Sequence, residues 1–409
     1  MRFTFAVFLL SCYSTVFAQT WFAVGSGTDG YIEALAMYKG DLYTAGKFTV
    51  AGGVSANNIA KWNGLMWSAL GSGVSGEVKA LCVYNGKLYV AGNYVYAGGK
   101  ATYCISSWNG AVWDTVGPGT DGYLWALCVY KNGLYAGGLF THINNGLTVN
   151  NVARWNDTIW SAVGAGIHDP GSGLIDALAV CNDELYAGGY FNNNALWGLT
   201  LNHIAKWNGT YWDTVGAGFD NDNVSALAAY NGQLYAVGNF DLYNRIARWN
   251  EVKWDSVGSG SSGVFGLPLA LGTYNNSLYV GGGFSAVGGV PANGIARWDG
   301  SNWSAVGTGM DSAGGALAFT VDTITNSLYV GGGFTTAGGI SANNVARWSE
   351  PLGIKEAQSN VAFTIYPNPG HNKHQYQNLK YQSRSDQPAE FIWANGLQFQ
   401  SYSIFNVFY

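Results

Sequence analysis

Charge is scarce in this sequence. Lysine, arginine, aspartate and glutamate make up 11% of the 409 residues and leave a net charge of −5. No basic cluster or stripe is visible, which argues against a nucleic-acid partner. Beyond residue 18 no run of 18 apolar residues occurs, so no later segment has the pattern of a membrane-spanning helix. Helical periodicity is also missing from the repeated segments. Before residue 350 the only histidines are His142, His168 and His203, at spacings that assemble no ligand set. A nucleophilic triad needs a histidine beside its serine or cysteine, so these are read as structural. Four cysteines lie beyond residue 18, Cys82, Cys104, Cys128 and Cys181, with no Cys-x-x-Cys spacing. They fit small buried apolar residues, or one disulfide chosen from three possible pairings.

What the chain has is glycine, 59 residues, tryptophan, 17 residues, and a repeat. Leu-Tyr recurs at Leu42, Leu88, Leu134, Leu185, Leu234, Leu278 and Leu328, at intervals of 44 to 51 residues. A period of this length signals a propeller, solenoid or array. Each repeat divides into four short segments, a to d. Segment a centres on Ala-Leu, at Ala34, Ala80, Ala126, Ala177, Ala226, Ala270 and Ala316. Segment b is Leu-Tyr followed by a recurrent glycine, Gly46, Gly92, Gly138, Gly189, Gly238, Gly282 and Gly332. Segment c ends at Trp62, Trp108, Trp155, Trp207, Trp249, Trp298 and Trp348, and d carries a second tryptophan, as at Trp67 and Trp303. All are short, aromatic or β-branched, and bounded by Gly or Asn. Asn-Gly and Asp-Gly pairs join a to b and c to d, which predicts two-residue type I′ turns. The expectation is an all-β fold: a seven-bladed β-propeller of four-stranded antiparallel blades. Small alanines belong at its axis and tryptophans at its rim.

The seventh repeat stops after segment c. The stretch from Thr20 to Gly27 matches that from Met66 to Gly73, so the N-terminal strand is predicted to close the last blade from outside and remove an open edge. Residues 1–18 read as a signal peptide, with Cys12 as an alternative lipoprotein site. The propeller is assigned to 19–349, a linker to 350–360, and a tail to 361–409.

The diglycine after an apolar strand, followed by an aromatic and then a tryptophan, resembles the kelch repeat. The Ala/Asn-rich turn before Ile-Ala-Arg-Trp is similar to repeats of fungal cortical cell-polarity marker proteins. Val361 to Pro369, ending Tyr-Pro-Asn-Pro, resembles the start of the C-terminal sorting domain of the type IX secretion system of Bacteroidota, here as a partial copy. These resemblances imply a propeller and delivery to the cell surface or beyond, with the secretion machinery as a partner. They imply little about activity, because such folds host many functions.

Strand directions put the a–b and c–d turns on one face and the b–c and d–a loops on the other. The second face carries nearly all the length variation, and binding usually sits on such loops. Its aromatic candidates are Trp197, Trp125, Tyr96 and Tyr243. Its acidic candidates are Asp29, Asp121, Asp169, Asp220, Asp222 and Asp311, of which Asp29, Asp121 and Asp220 are the candidate cation ligands, calcium being the ion considered. Lys61, Arg154, Lys206, Arg248, Arg297 and Arg347 precede the rim tryptophans and are read as structural, with stems between blades and heads in water. Two function classes stay open. One is a secreted or surface-displayed non-catalytic module that binds carbohydrate or protein or serves as structure. The other is an extracellular enzyme, a glycan hydrolase or lyase or a kelch-type copper oxidase, with its site on the b–c/d–a face.

Overall fold

The computed structural model describes residues 20–350 except 168, 170–172, 195–197, 221–222, 263–265 and 312–313; at 193 and 194 the backbone alone is described. Seven four-stranded antiparallel sheets make up the architecture, and there is no α-helix among the described residues. The first sheet is typical. Strands a, b, c and d are Ile32–Tyr38, Asp41–Gly46, Ile59–Trp62 and Trp67–Ala69, paired in that order. In the last sheet a, b and c are Ala316–Asp322, Ser327–Gly332 and Val345–Ser349, and the fourth place is taken by Thr20–Ala23. Its register sets Trp21 opposite Trp348. Strand a of each sheet packs against strand a of the next, and Ile32–Tyr38 also packs against Ala316–Asp322.

Tryptophan ties neighbouring sheets together. Within each sheet the c and d tryptophans meet with ring centroids 5.0–5.6 Å apart, as in Trp21–Trp348 and Trp207–Trp212. Such a pair contributes about 0.5–1.5 kcal/mol beyond its area burial. In every sheet but that of Trp212 the d-strand indole N–H then crosses to the preceding sheet: Trp67 donates to the Val24 carbonyl at 3.1 Å, Trp113 to Leu70 at 2.7 Å and Trp254 to Val215 at 2.9 Å. Trp21 makes the same bond to Val306 at 3.2 Å, across 285 residues of sequence.

The a–b turns form a second ladder. Lys39, Asn85, Asn182 and Asn231 have positive φ and open two-residue turns of the expected type. Tyr38 at the end of strand a donates to the Gly86 carbonyl of the next turn at 2.7 Å, and Tyr84 to Asn132 at 2.9 Å. Where Cys181 replaces the tyrosine, the Asn182 amide reaches Gly232 at 2.9 Å instead. The turns of this face thus serve, through their backbone carbonyls, as acceptors for the neighbouring sheet.

Four expectations need correction. The c–d connections are four-residue loops, not type I′ turns. The Asn63 side chain caps its loop by accepting from the amides of Leu65 and Met66 at 3.0 and 2.9 Å, and Asp157 and Glu251 take the positive-φ place that glycine holds elsewhere. The seventh Ala-Leu is not at Ala316: register places Ala318 and Phe319 where Ala34 and Leu35 stand in the first sheet. Glu350 is no linker residue, since its carboxylate accepts from Tyr279 at 2.7 Å and Arg297 at 2.8 Å. The heads of the cation row are not simply in water: Lys61 pairs with Asp41 at 2.6 Å, Lys206 with Glu184 at 3.0 Å, and Arg347 lies over the Phe22 ring. The four thiols Cys82, Cys104, Cys128 and Cys181 are free; burial pushes Cys82 up to about 12 and Cys128 to about 11.

Candidate functional site: the mouth of the channel

Each a strand breaks its own alternation. The pairing of a with b skips one residue, between Ile32 and Ala34 in the first sheet and at the equivalent point in the other six. The skipped residues are Glu33, Lys79, Trp125, Asp176, Ser225, Leu269 and Leu317. A β-bulge of this kind re-aims a side chain. All seven line one channel, a space of about 530 Å³ between the a strands. They lie at the start of each strand, next to the d–a loops.

The recurrent strand-b glycine permits the bulge. A Cβ on Gly46 would stand 2.2 Å from the Tyr31 carbonyl oxygen, on Gly138 2.1 Å from that of Tyr123, and on Gly332 2.0 Å from that of Gly315. No side chain fits there, because the bulged strand presses its backbone onto strand b.

Chemically the seven bulge residues are mixed: two carboxylates, an ammonium, an indole, a hydroxyl and two leucines. Lys79 Nζ lies 2.7 Å from Glu33 Oε2 and 3.4 Å from Glu77 Oε2. Asn223 Nδ2 donates to Asp176 Oδ2 at 3.0 Å. Burial pushes the Glu33 carboxyl up, with Lys79 opposing. Trp125 and Ser225 are half-buried and Leu269 is exposed. Below this layer the channel is lined by Leu35, Leu81, Leu127, Leu178, Leu227, Leu271 and Phe319, an apolar floor. A second depression, at the a–b end, uses its polar groups internally: Tyr230 and Tyr274 donate to the carbonyls of Asn276 and Asn326.

The sequence-predicted residues scatter. Trp125 is no loop residue: it is a bulge residue of strand Tyr123–Tyr130 and lines the channel. Tyr96 is exposed at the start of a two-residue hairpin strand in a b–c connection, away from Trp125 in sequence and sheet. Tyr243 has φ of 60° in a 3-10 turn, and its ring packs edge-on to Phe219 at 6.1 Å. Trp197, His168 and Asp222 lie outside the described residues. His142 is beside Asp121, Nδ1 to Oδ2 3.2 Å, whereas His203 is buried against Tyr190.

The five described acidic candidates, Asp29, Asp121, Asp169, Asp220 and Asp311, lie one to a d–a loop, and each faces the b–c loop of the sheet that follows. Asp29 accepts from the amides of Thr49 and Val50, both at 2.8 Å, and from the Thr49 hydroxyl at 2.6 Å. Asp121 does the same with Thr141 and His142, and Asp311 accepts from Thr335. Asp169 accepts from the Asn192 amide at 2.7 Å and Asp220 from that of Leu242 at 3.1 Å. Among the described residues no group of three metal-ligating side chains occurs. Burial alone would raise the Asp29, Asp121 and Asp311 carboxyls, but these hydrogen bonds outweigh it and hold all three below the ordinary value of 3.8. A depressed carboxylate stabilises the fold above its unfolded-state pKa, and the contribution is lost as pH falls through the folded-state value. The melting temperature is therefore expected to fall as pH drops below the ordinary aspartate value of 3.8. A triple variant, Asp29→Asn with Asp121→Asn and Asp311→Asn, should flatten that acid limb. Superimposable limbs in a pH series of thermal melts would refute the linkage.

Sequence reading missed Glu33, Lys79, Asp176 and Ser225. A signal was present: the residue just before the recurrent alanine of strand a changes in charge and size from repeat to repeat, while that alanine does not.

No protein-family model matches the chain, and no curated protein does. Solved structures do. The WD40 β-propeller domain of Doa1 is similar at a TM-score of 0.53 and 12% identity, over 81% of this chain and 97% of that one. The extracellular domain of a hybrid two-component system from B. thetaiotaomicron is similar at 0.52 and 8% identity, over 81% of this chain and 39% of that one. At these identities the likeness speaks to fold alone, and it agrees with the sheet topology: the chain has a β-propeller fold.

Proposed function

We propose that this chain is a seven-bladed propeller, fastened by its N-terminal strand, that works outside the cell as a non-catalytic binding module and takes its ligand at the channel mouth. The ligand classes considered are carbohydrate and protein. One observation carries the reading: the seven bulge residues converge on one space and differ in charge, size and polarity, while the alanines, leucines and glycines around them repeat. Packing alone gives a repeated scaffold no reason to vary there. The register of Thr20–Ala23 on Val345–Ser349 supports the fastening. Export rests on the leader-like residues 1–18 and the sorting-like segment from Val361, with 350–409 read as linker and tail apart from Glu350. The kelch-like kinship rests on the repeat motif, and calcium at the d–a loops on Asp29, Asp121 and Asp220.

A specific observation also favours an enzyme. Glu33 is an inward carboxylate pushed up by burial, and a carboxyl that keeps its proton can serve as a general acid. Yet both its oxygens lie within 2.9 Å of Lys79 Nζ, which favours the ionised form, so binding is the better reading.

Arrays of glycans and peptides probed with the full chain, Trp125→Ala, Trp197→Ala and a plugged channel, Ser225→Trp, test the site. Ligand affinity should fall roughly ten- to a hundredfold in Trp125→Ala and vanish in the plugged form. If Trp197→Ala alone weakens binding, the site is the b–c loop of the fourth repeat and the channel reading is wrong.

A further inference from the structure

We infer that the ligand of the channel mouth is an uncharged polyhydroxyl ring, the terminal unit of a carbohydrate chain, seated end-on against Trp125. This rests on the channel-mouth reading above and adds the chemical class.

The charge pattern excludes strongly ionic ligands first. Lys79 is already matched by Glu33 and Glu77, and Asp176 already accepts from Asn223. An anionic group would have to compete with two carboxylates for one ammonium. A cation would have to draw Glu33 or Asp176 from partners that hold them. Hydroxyls need do neither. An ionised carboxylate has about four lone-pair sites, and the Asn223 amide carries a second N–H donor. A group that both donates and accepts can add to these pairs without breaking them. Because the pairs hold one another in place, little side-chain freedom is lost on binding.

Trp125 supplies the second element. It is the one aromatic among the seven bulge residues, it is half-buried, and it follows Lys79 and precedes Asp176 in sheet order. An indole offers a rigid apolar surface at low entropic cost, suited to the C–H face of a sugar ring. The floor supplies the third. Six leucines and Phe319 below the bulge layer carry no side-chain hydrogen-bonding group. A peptide threaded through the channel would leave backbone N–H and C=O groups unpaired there, which is costly. A terminal ring that stops at the mouth avoids this. The space of about 530 Å³ is of small-ligand size.

The test is an array carrying glycans with neutral, amino-bearing and acidic terminal sugars, with a peptide array beside it. The best neutral terminal disaccharide is then titrated calorimetrically into the full chain, Trp125→Ala, Trp125→Phe and two alternative plugs, Ser225→Trp and Leu269→Trp. Thermal melts confirm which variants fold. The inference expects neutral termini to be preferred, Trp125→Ala to weaken binding roughly ten- to a hundredfold, Trp125→Phe to retain most of it, and either plug to abolish it. Preference for charged sugars or for peptides, or no glycan bound, overturns the inferred class. Loss in the plugged forms with no effect of Trp125→Ala leaves the channel reading standing and removes the ring seated on Trp125. Binding that survives both plugs defeats the channel reading itself.

Discussion

A chain beginning at residue 28 is expected to melt roughly ten degrees or more below one beginning at residue 19, or to aggregate. The missing segment contains Thr20–Ala23, which pairs residue for residue with Ala346 to Ser349. Without it the strand Val345–Ser349 becomes an edge with unpaired N–H and C=O groups, an invitation to intermolecular pairing. Trp21 goes too. It is 5% exposed, its ring meets Trp348 at 5.0 Å, and its indole N–H reaches Val306 in the preceding sheet. Removing a buried tryptophan side chain typically costs about 3–5 kcal/mol before the lost ladder is counted. Trp21→Ala should therefore reproduce much of the effect. A synthetic peptide of residues 19–27 added to the shortened chain should restore part of the melting temperature. Equal melting temperatures for the two chains would mean that the N-terminal strand fastens nothing.

The same strand shows what the sequence made legible. Its match to the stretch from Met66 announced a d strand without a blade, and the seventh repeat announced a blade without a d strand. The tryptophans were legible as a rim because large residues recurred at fixed positions beside small ones. The bulges were not. A bulge adds one residue to a strand whose outward and inward positions are read by alternation, and nothing in residue type marks the addition. Ala316 shows the consequence. The bulge residue Leu317 is itself a leucine, so Ala316-Leu317 looked like the repeated pair and displaced the reading by two residues from Ala318. Trp125 was mistaken for a loop residue for the same reason. Asp29, Asp121 and Asp220 pose a different difficulty. A carboxylate that caps a loop and one that holds a cation are the same residue type in the same kind of loop. What separates them is the set of amide donors 20 to 22 residues further on, which only the folded chain brings near.

Two adjacent glycines give the sharpest test of the bulge. Gly332→Ala is expected to destabilise the protein severely, and Gly333→Ala to leave it within about 0.5 kcal/mol. Composition and propensity do not distinguish the two, and neither position has the positive φ that would demand glycine. The difference is what a methyl group would meet. At Gly333 the nearest atom lies 3.7 Å from an added Cβ, ordinary contact. At Gly332 the Gly315 carbonyl oxygen lies 2.0 Å away, with the Gly315 carbonyl carbon at 3.0 Å and Ala316 Cα at 3.1 Å. All three are backbone atoms, so no side chain can rotate aside. Relief requires strand Ala316–Asp322 to move off strand Ser327–Gly332, which would straighten the bulge and turn Leu317 away from the channel. Overpacking of this kind costs typically 1–3 kcal/mol where the surroundings can shift, and more where they cannot. The expected result is a loss of about 3 kcal/mol or more for Gly332→Ala in denaturant unfolding, with Gly138→Ala behaving alike through the Tyr123 carbonyl at 2.1 Å. If Gly332→Ala and Gly333→Ala unfold at the same denaturant concentration, strand-b glycine is not what lets the bulged strand approach, and the repeat needs another explanation for it.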